Sequence, residues 1–352
     1  MKFEKFNQNP ILSPLESNEW ESLVTCNPGV IYDNGTFYML YRAAGNDSEH
    51  VIRFGLATSK DGYHFKRMSD KPVFGPSENG PDSGGVEDAG IVKFDNEFYI
   101  TYAYRAYPPG QYWNFGHDEI MLPECGEDAP AAVKQNIGNT GLAVTTDFKK
   151  FRRLGRLTSP VLDDRDVILF PEKINGQYAL LHRPKQYIGK KYGVKYPSIW
   201  IKFSDDILNW EDKESHLLLT GIEGTWEEKI GGSTPPLKTD KGWLVLYHGV
   251  ENGGLGYYRV GAVLLDLENP LKIIARTSDC LLEPEFDFET KGYYNGCVFP
   301  TGNVILDGVL YVYYGAADKY VGVATCNIHE LLKFMTQTPI VEKQEKKLQK
   351  TI

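Results

Sequence analysis

The stretch NGTFYMLYRAAG, residues 34–45, decides the fold. It is a tight-turn dipeptide followed by about six alternating aromatic and aliphatic residues, the pattern of a hairpin turn feeding a buried strand. The same sentence is written four more times: DNEFYITYAYRA from Asp95, NGQYALLHRP from Asn175, KGWLVLYHGV from Lys241 and DGVLYVYYGAAD from Asp307. After each comes a second apolar strand: IRFGLATSKDGYHF from Ile52, NTGLAVTTDFKKF from Asn139, SIWIKFSDDILNW from Ser198, YRVGAVLLDLENP from Tyr258 and KYVGVATCNIHEL from Lys319. The turns at 35, 96, 176, 242 and 308 are spaced by 61, 80, 66 and 66 residues. Five copies of two strand patterns in one order predict an all-β chain folded as a five-bladed β-propeller over residues 1–352, with an irregular pair of β-sandwiches as the alternative.

The 80-residue interval holds an insertion at about 107–136, rich in Pro, Gly and aromatic residues and without strand alternation. Loops of that length in a compact domain carry function or are disordered. Tyr112, Trp113 and Phe115 point to an ordered lid near a pocket. One segment, NIHELLKFM, reads as a helix and opens a C-terminal helix and tail at about 327–352.

The net charge of -9 and the absence of a Lys/Arg run outside the mixed-sign tail EKQEKKLQK exclude a nucleic-acid groove. Five scattered cysteines without a CxxC pair speak against a disulfide scaffold or a zinc site, and the seven histidines show no metal spacing. No segment approaches 18 apolar residues, so no membrane span is expected, and a cytoplasmic location is the reading, with the periplasm open if a signal peptide has been trimmed.

Each first-pattern strand ends in polar or aromatic residues: Tyr41-Arg42, Tyr104-Arg105, His182-Arg183, Tyr247-His248, and Tyr314 with Asp318. Five such endings around one axis imply a polar pocket. Carboxylates near strand ends are Glu87, Asp88, Asp164, Asp166, Glu227, Glu228 and Asp318; the cations are Arg42, Arg53, Arg105, Arg165, Arg183, Lys229 and His248. A few acids among aromatic rings suit glycosidic-bond cleavage, and clustered Arg and Lys suit an anion. Together they suggest a sugar bond broken by phosphate. The bland alternative is that these charges neutralise one another in structural pairs.

GVED (85–88) before IVKF (91–94), VILFPEKINGQYALLHRP (167–184), WEEKIGGSTPPLKTDKGWLVLYHGV (226–250) and YYGAAD (313–318) resemble glycoside hydrolase family 130, in order, across about residues 9–331. The resemblance implies a five-bladed propeller acting on β-mannosides with inversion, mostly by phosphorolysis that releases mannose 1-phosphate and in some members by hydrolysis. Asp88 matches the general acid, whose proton passes through a hydroxyl of the mannosyl ring. Arg165, Arg183, Lys229 and His248 match the phosphate-binding positions, and Asp318 the holder of the mannosyl hydroxyls. Substrate contacts are expected from Asn27, Arg42, Arg53, Glu87, Tyr104, Arg105, Asp166 and Asp318. The implied partners are a β-manno-oligosaccharide and inorganic phosphate as co-substrate; no metal or organic cofactor is implied, and a homo-oligomer is left open.

Three departures from the family pattern matter. Ala89-Gly90 stand where Pro-Arg usually follows the acid, Asp166 stands where Asn often follows the arginine, and Asn27-Pro28 replace an Asn-Ser pair. Extra acid near an anion site favours the alternative of an inverting β-mannosidase, in which Glu227 or Glu228 would activate water. A non-catalytic mannoside-binding module is the third reading.

Overall fold

The computed structural model describes residues 1–111, 119–251 and 256–337. Its strands form five antiparallel sheets. Blade 1 contains β2 (Val24–Asp33), β3 (Thr36–Ala44), β4 (Arg53–Ser59) and β5 (Lys66–Arg67). Blade 2 contains β6 (Gly85–Phe94), β7 (Glu97–Arg105), β8 (Asn139–Thr145) and β9 (Arg152–Arg156). Blade 3 contains β10 (Asp164–Leu169), β11 (Tyr178–Pro184), β12 (Ile199–Ser204) and β13 (His216–Leu219). Blade 4 contains β14 (Lys229–Gly232), β15 (Leu237–Thr239), β16 (Gly242–Val250), β17 (Tyr258–Leu265) and β18 (Ile273–Arg276). Blade 5 contains β19 (Val298–Leu306), β20 (Val309–Ala316) and β21 (Tyr320–Asn327). The N-terminal β1 (Glu4–Lys5) supplies its fourth strand, pairing Glu4 with Thr325 and so tying the two ends of the chain into one sheet.

The predicted turns form for the expected reason. Asn34-Gly35, Asn175-Gly176 and Asp307-Gly308 all hold positive φ at both positions, which two-residue hairpin turns require. The first-pattern strand is not the one nearest the axis, however. It is second in each blade, and the innermost strand precedes the turn: β19 packs on β2, β2 on β6, β6 on β10 and β10 on β14. The innermost strands are interrupted by Asn, Asp, Pro and Gly, so they carry no clean alternation to read.

A repeated packing device explains the Tyr endings. In four blades a tyrosine of the second strand gives its hydroxyl to a buried acid, which also binds a cation from another strand. Tyr41 donates to Glu21 at 3.0 Å, and Arg67 reaches the same oxygen at 2.9 Å. Tyr102, Asp82 and Arg153 repeat the arrangement in blade 2, Tyr247, Glu227 and Arg276 in blade 4, and Tyr314, Glu289 and Lys5 in blade 5. Directly across from each tyrosine sits a glycine (Gly55, Gly141, Gly261 or Gly322), where a Cβ would collide with the ring. Blade 3 substitutes His182, bonded to Asp164 at 2.8 Å and facing Trp200 instead of glycine.

Strand alternation gives this device a consequence for the site. The latching tyrosine turns toward the preceding blade: Tyr41 packs with Tyr313 and Val323, and Tyr247 with Ile168 and Ile201. The next residue turns toward the following blade's inner strand. These next residues are Arg42, Ala103, Arg183, His248 and Gly315.

The expected C-terminal helix is α3 (Ile328–Gln337), which buries Ile328, Leu331, Leu332 and Met335 against β18 and β21. Asn327 caps it, its Oδ1 accepting from the amides of His329 and Glu330. Single-turn α-helices also form among the described residues, α1 (Ala131–Lys134) inside the insertion and α2 (Asp287–Thr290) beneath Tyr314. Tyr112, Trp113 and Phe115 of the expected lid, and the tail beyond 337, lie outside the described residues.

Candidate active site

Three innermost strands carry a bulge at the same height, and each bulge opens on an Asn or Asp. The register shifts fall between Cys26 and Gly29, between Glu87 and Gly90, and between Arg165 and Ile168. Asn27, Asp88 and Asp166 sit there at φ 42°, 59° and 58°, left-handed backbone that Asn and Asp tolerate better than other side-chain-bearing residues. β19 shifts register at the matching place, between Pro300 and Gly302. The bulges crowd one another: a Cβ at Gly29 would strike the Ala89 carbonyl, and one at Gly302 the Pro28 carbonyl. Within the ring lies a small cavity lined by Asp88, Asp166, Ser233, Thr140, Phe299 and Thr301 among others.

On one wall stands Asp88. Its Oδ1 accepts from Asn27 Nδ2 at 2.8 Å and from an Arg42 amino group at 3.3 Å. Burial pushes the Asp88 carboxyl up to about 6; Arg42 and Asn27 oppose the rise, while Glu87 and Asp318 add to it. Glu87 differs although it is deeper. Burial raises it, but Arg42 at 3.1 Å, Arg165 at 3.7 Å and Arg105 at 4.0 Å outweigh burial and hold it below the usual carboxylate range. Adjacent carboxyls are thus split, one kept ionised by three guanidinium groups and one kept ready to carry a proton. Asp318 closes this end. Burial lifts its carboxyl, Arg42 resists, and the Cys297 thiol lies 3.9 Å away.

The opposite wall is cationic. Arg183 Nε lies 2.5 Å from Asp166 Oδ2, although the angle does not make a hydrogen bond. His248 Nε2 is 3.9 Å from the same oxygen, and its Nδ1 meets Ser233 Oγ at 3.1 Å. Burial pushes His248 down to about 4, with Asp166 opposing and Arg183 adding, so it serves as a neutral imidazole and not as the cation expected. Gly231 leaves room here, since a Cβ would strike Asp166, His248 and Arg183. Lys229, two residues earlier on β14, emerges on the same side, with its ammonium 5.9 Å from the Tyr196 ring.

Asp88, Arg42, Glu87, Arg105, Arg165, Asn27 and Asp318 therefore come together, and Arg183, His248 and Asp166 form a second group around the same opening. Four expected residues do not join them. Arg53 donates to the Val51 carbonyl at 2.9 Å and lies along Gly75. Tyr104 faces the core between blades 1 and 2, against Tyr102. Glu227, the alternative base, is the buried latch acid of blade 4, held by Tyr247 and by Arg276 at 2.7 Å. Glu228 is buried beside it.

Two residues were missed. Asp163 Oδ1 accepts from Arg165 Nε at 3.0 Å, and its Oδ2 lies 2.9 Å from Lys185 Nζ. Burial pushes Lys185 down to about 8, aided by Arg165 and Arg183 and opposed by Asp163. The signal was period two: Asp163 with Arg165, and Arg183 with Lys185, place four charges on one face of the β10–β11 hairpin. Among the described residues, no three His, Cys, Asp or Glu side chains gather as a metal cage.

The model of glycoside hydrolase family 130, described as beta-1,4-mannooligosaccharide phosphorylase, matches residues 2–112 and 131–337; the unmatched stretch falls inside the insertion. A 1,2-beta-oligomannan phosphorylase of Thermoanaerobacter sp. is 38% identical over 94% of this chain and 99% of its own length. A beta-1,2-mannobiose phosphorylase of the same organism is 35% identical over 95% and 99%. Among solved structures, the beta-1,2-mannobiose phosphorylase of Listeria innocua, in complex with beta-1,2-mannobiose, superposes with a TM-score of 0.76 at 26% identity, covering 96% of this chain and 100% of that one.

Proposed function

Because the chain belongs to glycoside hydrolase family 130, we propose that the axial cavity is where a β-mannosidic bond is cleaved by phosphate, and that the substrate is a β-1,2-linked manno-oligosaccharide. The reaction class rests on the phosphorylase relatives that match almost end to end, and the linkage on the names of the two at 38% and 35% identity. The observation that carries the reading is a cavity lined both by Asp88, whose carboxyl is raised to about 6, and by Asp166, against which Arg183 lies.

In this reading the mannosyl unit lies over the axis, its hydroxyls held by Asn27, Arg42 and Asp318. Asp88 gives its proton toward the departing glycosidic oxygen, through a hydroxyl of the mannosyl ring as the family resemblance implies. Phosphate, gripped by Arg165, Arg183, Lys229 and His248, attacks the anomeric carbon from the opposite face. The anomeric carbon–oxygen bond breaks as the new bond to a phosphate oxygen forms, with inversion, and mannose 1-phosphate leaves. Glu87 keeps Arg42, Arg105 and Arg165 in place by remaining ionised.

Incubation with β-1,2-mannobiose, with and without inorganic phosphate, tests the proposal. Mannose 1-phosphate formed only with phosphate is the expected result. Free mannose appearing at the same rate in phosphate-free buffer refutes it.

A further inference from the structure

An acid stands inside the proposed anion cage. Asp166 occupies the apex of the β10 bulge, is almost wholly buried, and places Oδ2 2.5 Å from Arg183 Nε and 3.9 Å from His248 Nε2. Neither Oδ2 nor Arg183 Nε has a partner of hydrogen-bond geometry. The groups beside it are Arg183 from β11 and neutral His248 from β16; Arg165 is its chain neighbour on β10, Lys229 lies two residues before Gly231 on β14, and Asp88 lines the same cavity. The carboxylate already takes up part of the charge that phosphate would use. Near neutral pH phosphate carries either two protons and one charge or one proton and two charges, and the doubly charged form meets the stronger like-charge repulsion from this carboxylate in a poorly solvated site. The dihydrogen form brings one charge fewer, and one of its two hydroxyls can donate a short O–H···O⁻ hydrogen bond to Asp166.

We propose that Asp166 makes this site select phosphate in its singly charged, dihydrogen form, the extra proton being shared between a phosphate oxygen and the Asp166 carboxylate. The inference rests on the phosphorylase reading above and adds which ionic form of the co-substrate is bound. No bond other than the hydrogen bond is made or broken by Asp166, and the proton leaves with whichever product species carries it. The same logic excludes sulfate, which has the shape of phosphate but no proton to offer near neutral pH.

The test is the phosphate KM of the wild type and of Asp166→Asn from pH 6 to 8.5, with the β-1,2-mannobiose KM followed in parallel and folding checked by thermal melting. Above the second ionisation of phosphate, the wild-type phosphate KM should climb about tenfold per pH unit, following the loss of the dihydrogen form. The amide that Asp166→Asn introduces removes the like charge and can donate to an ionised oxygen of the doubly charged form, so the variant's KM should stay nearly level and fall about tenfold below wild type at pH 8. Lys185 titrates in both proteins and cancels from the comparison. Parallel KM profiles, or a variant that binds phosphate worse at every pH, overturn the inference while leaving phosphorolysis standing. A wild type without phosphate-dependent turnover overturns both. Should the variant fail to fold, sulfate competition in the wild type decides: inhibition by sulfate at concentrations similar to the phosphate KM refutes the proposal, and negligible inhibition supports it.

Discussion

Replacing Asp88 by Asn should destroy turnover and stabilise the protein at once. The carboxyl is raised from 3.8 to about 6, first by burial. A raised acid holds its proton more tightly folded than unfolded, so folding is favoured at low pH and the advantage disappears as pH rises from about 4 to 6. Above pH 6 the fold bears the cost of an ionised Asp88. A rise of that size, at about 1.4 kcal/mol per pH unit, sets an upper bound near 3 kcal/mol. That bound is already net of the Arg42 and Asn27 contacts, so what opposes it is the poorer fit of an amide NH2 where a second carboxyl oxygen stood, about 1–1.5 kcal/mol. The net expectation at pH 7.5 is a gain of about 1–2 kcal/mol, which for a chain of this length raises Tm by about 1.5–3 °C. At pH 4 the gain should vanish. Loss of the acid should lower kcat by about 10²–10⁴. Calorimetry at pH 4 and pH 7.5, with release of mannose 1-phosphate as the activity assay, measures both effects. A variant less stable than wild type at pH 7.5, or an increment that does not change with pH, refutes the electrostatic account; a kcat within about tenfold of wild type refutes the assignment of the acid.

Glu227→Gln separates latch from base: breaking the buried pair with Arg276 should cost about 3–5 kcal/mol of stability, while kcat of the protein that remains folded changes less than about threefold. A hundredfold loss of kcat without loss of stability would restore Glu227 as a catalytic group. Gly261→Ala should destabilise by about 1–3 kcal/mol, because its Cβ meets the Tyr247 ring, and a neutral result by denaturant melting would discount the latch. Lys185→Met should raise the phosphate KM about tenfold and leave the mannobiose KM unchanged, with Lys185→Arg restoring it; equal effects on both constants would make Lys185 structural. In wild type, kcat/KM for mannobiose should fall as pH rises past about 6, where Asp88 loses its proton, and Asp88→Glu should move that limb; an unchanged limb would assign it to another group.

The sequence announced the blades because NG, DN, KG and DG turns and the alternating strands after them obey local rules that any hairpin must satisfy. It placed Asp88, Arg165, Arg183 and His248 among the charged residues near strand ends, and gave them roles only through resemblance to known motifs. The latches were invisible for a physical reason: Glu21 and Arg67, or Glu227 and Arg276, are far apart in the chain and are joined only when strands stack. Glu227 therefore looked like a free carboxylate beside a lysine. Arg53 and Tyr104 lie apart from these groups, because a strand-end position says nothing about which blade face a side chain takes. Blade 3 was the hardest to read, since His182 and Trp200 replace the Tyr–Gly pair that marks the other four blades.

Latch and site are the two faces of a single alternation, which explains why acids and cations so far apart in sequence meet with a defined geometry. Each tyrosine is fixed on its own side by an acid and a cation, and its ring lies flat over a glycine, so the next residue has little freedom in where it points. Arg42 is thereby aimed at the Asp88 bulge, Arg183 at Gly231, His248 at Phe299, and Gly315 leaves space for Asn27. A substrate cavity built this way needs no flexible loop to assemble its charged groups; the strands that carry them are held by buried networks outside the cavity. Weakening one latch should then disturb the neighbouring blade's half of the site before it disturbs its own. Tyr41→Phe, which leaves Glu21 and Arg67 in place but frees the ring from its hydroxyl tether, should loosen Arg42 and lower the Asp88-dependent step, while phosphate affinity on the Arg183 wall stays level. The measurement is a split in the constants, with kcat/KM for mannobiose falling about threefold to tenfold and the phosphate KM unchanged. Equal losses in both would mean that the ring of blades responds as one body, and the alternation argument would fail.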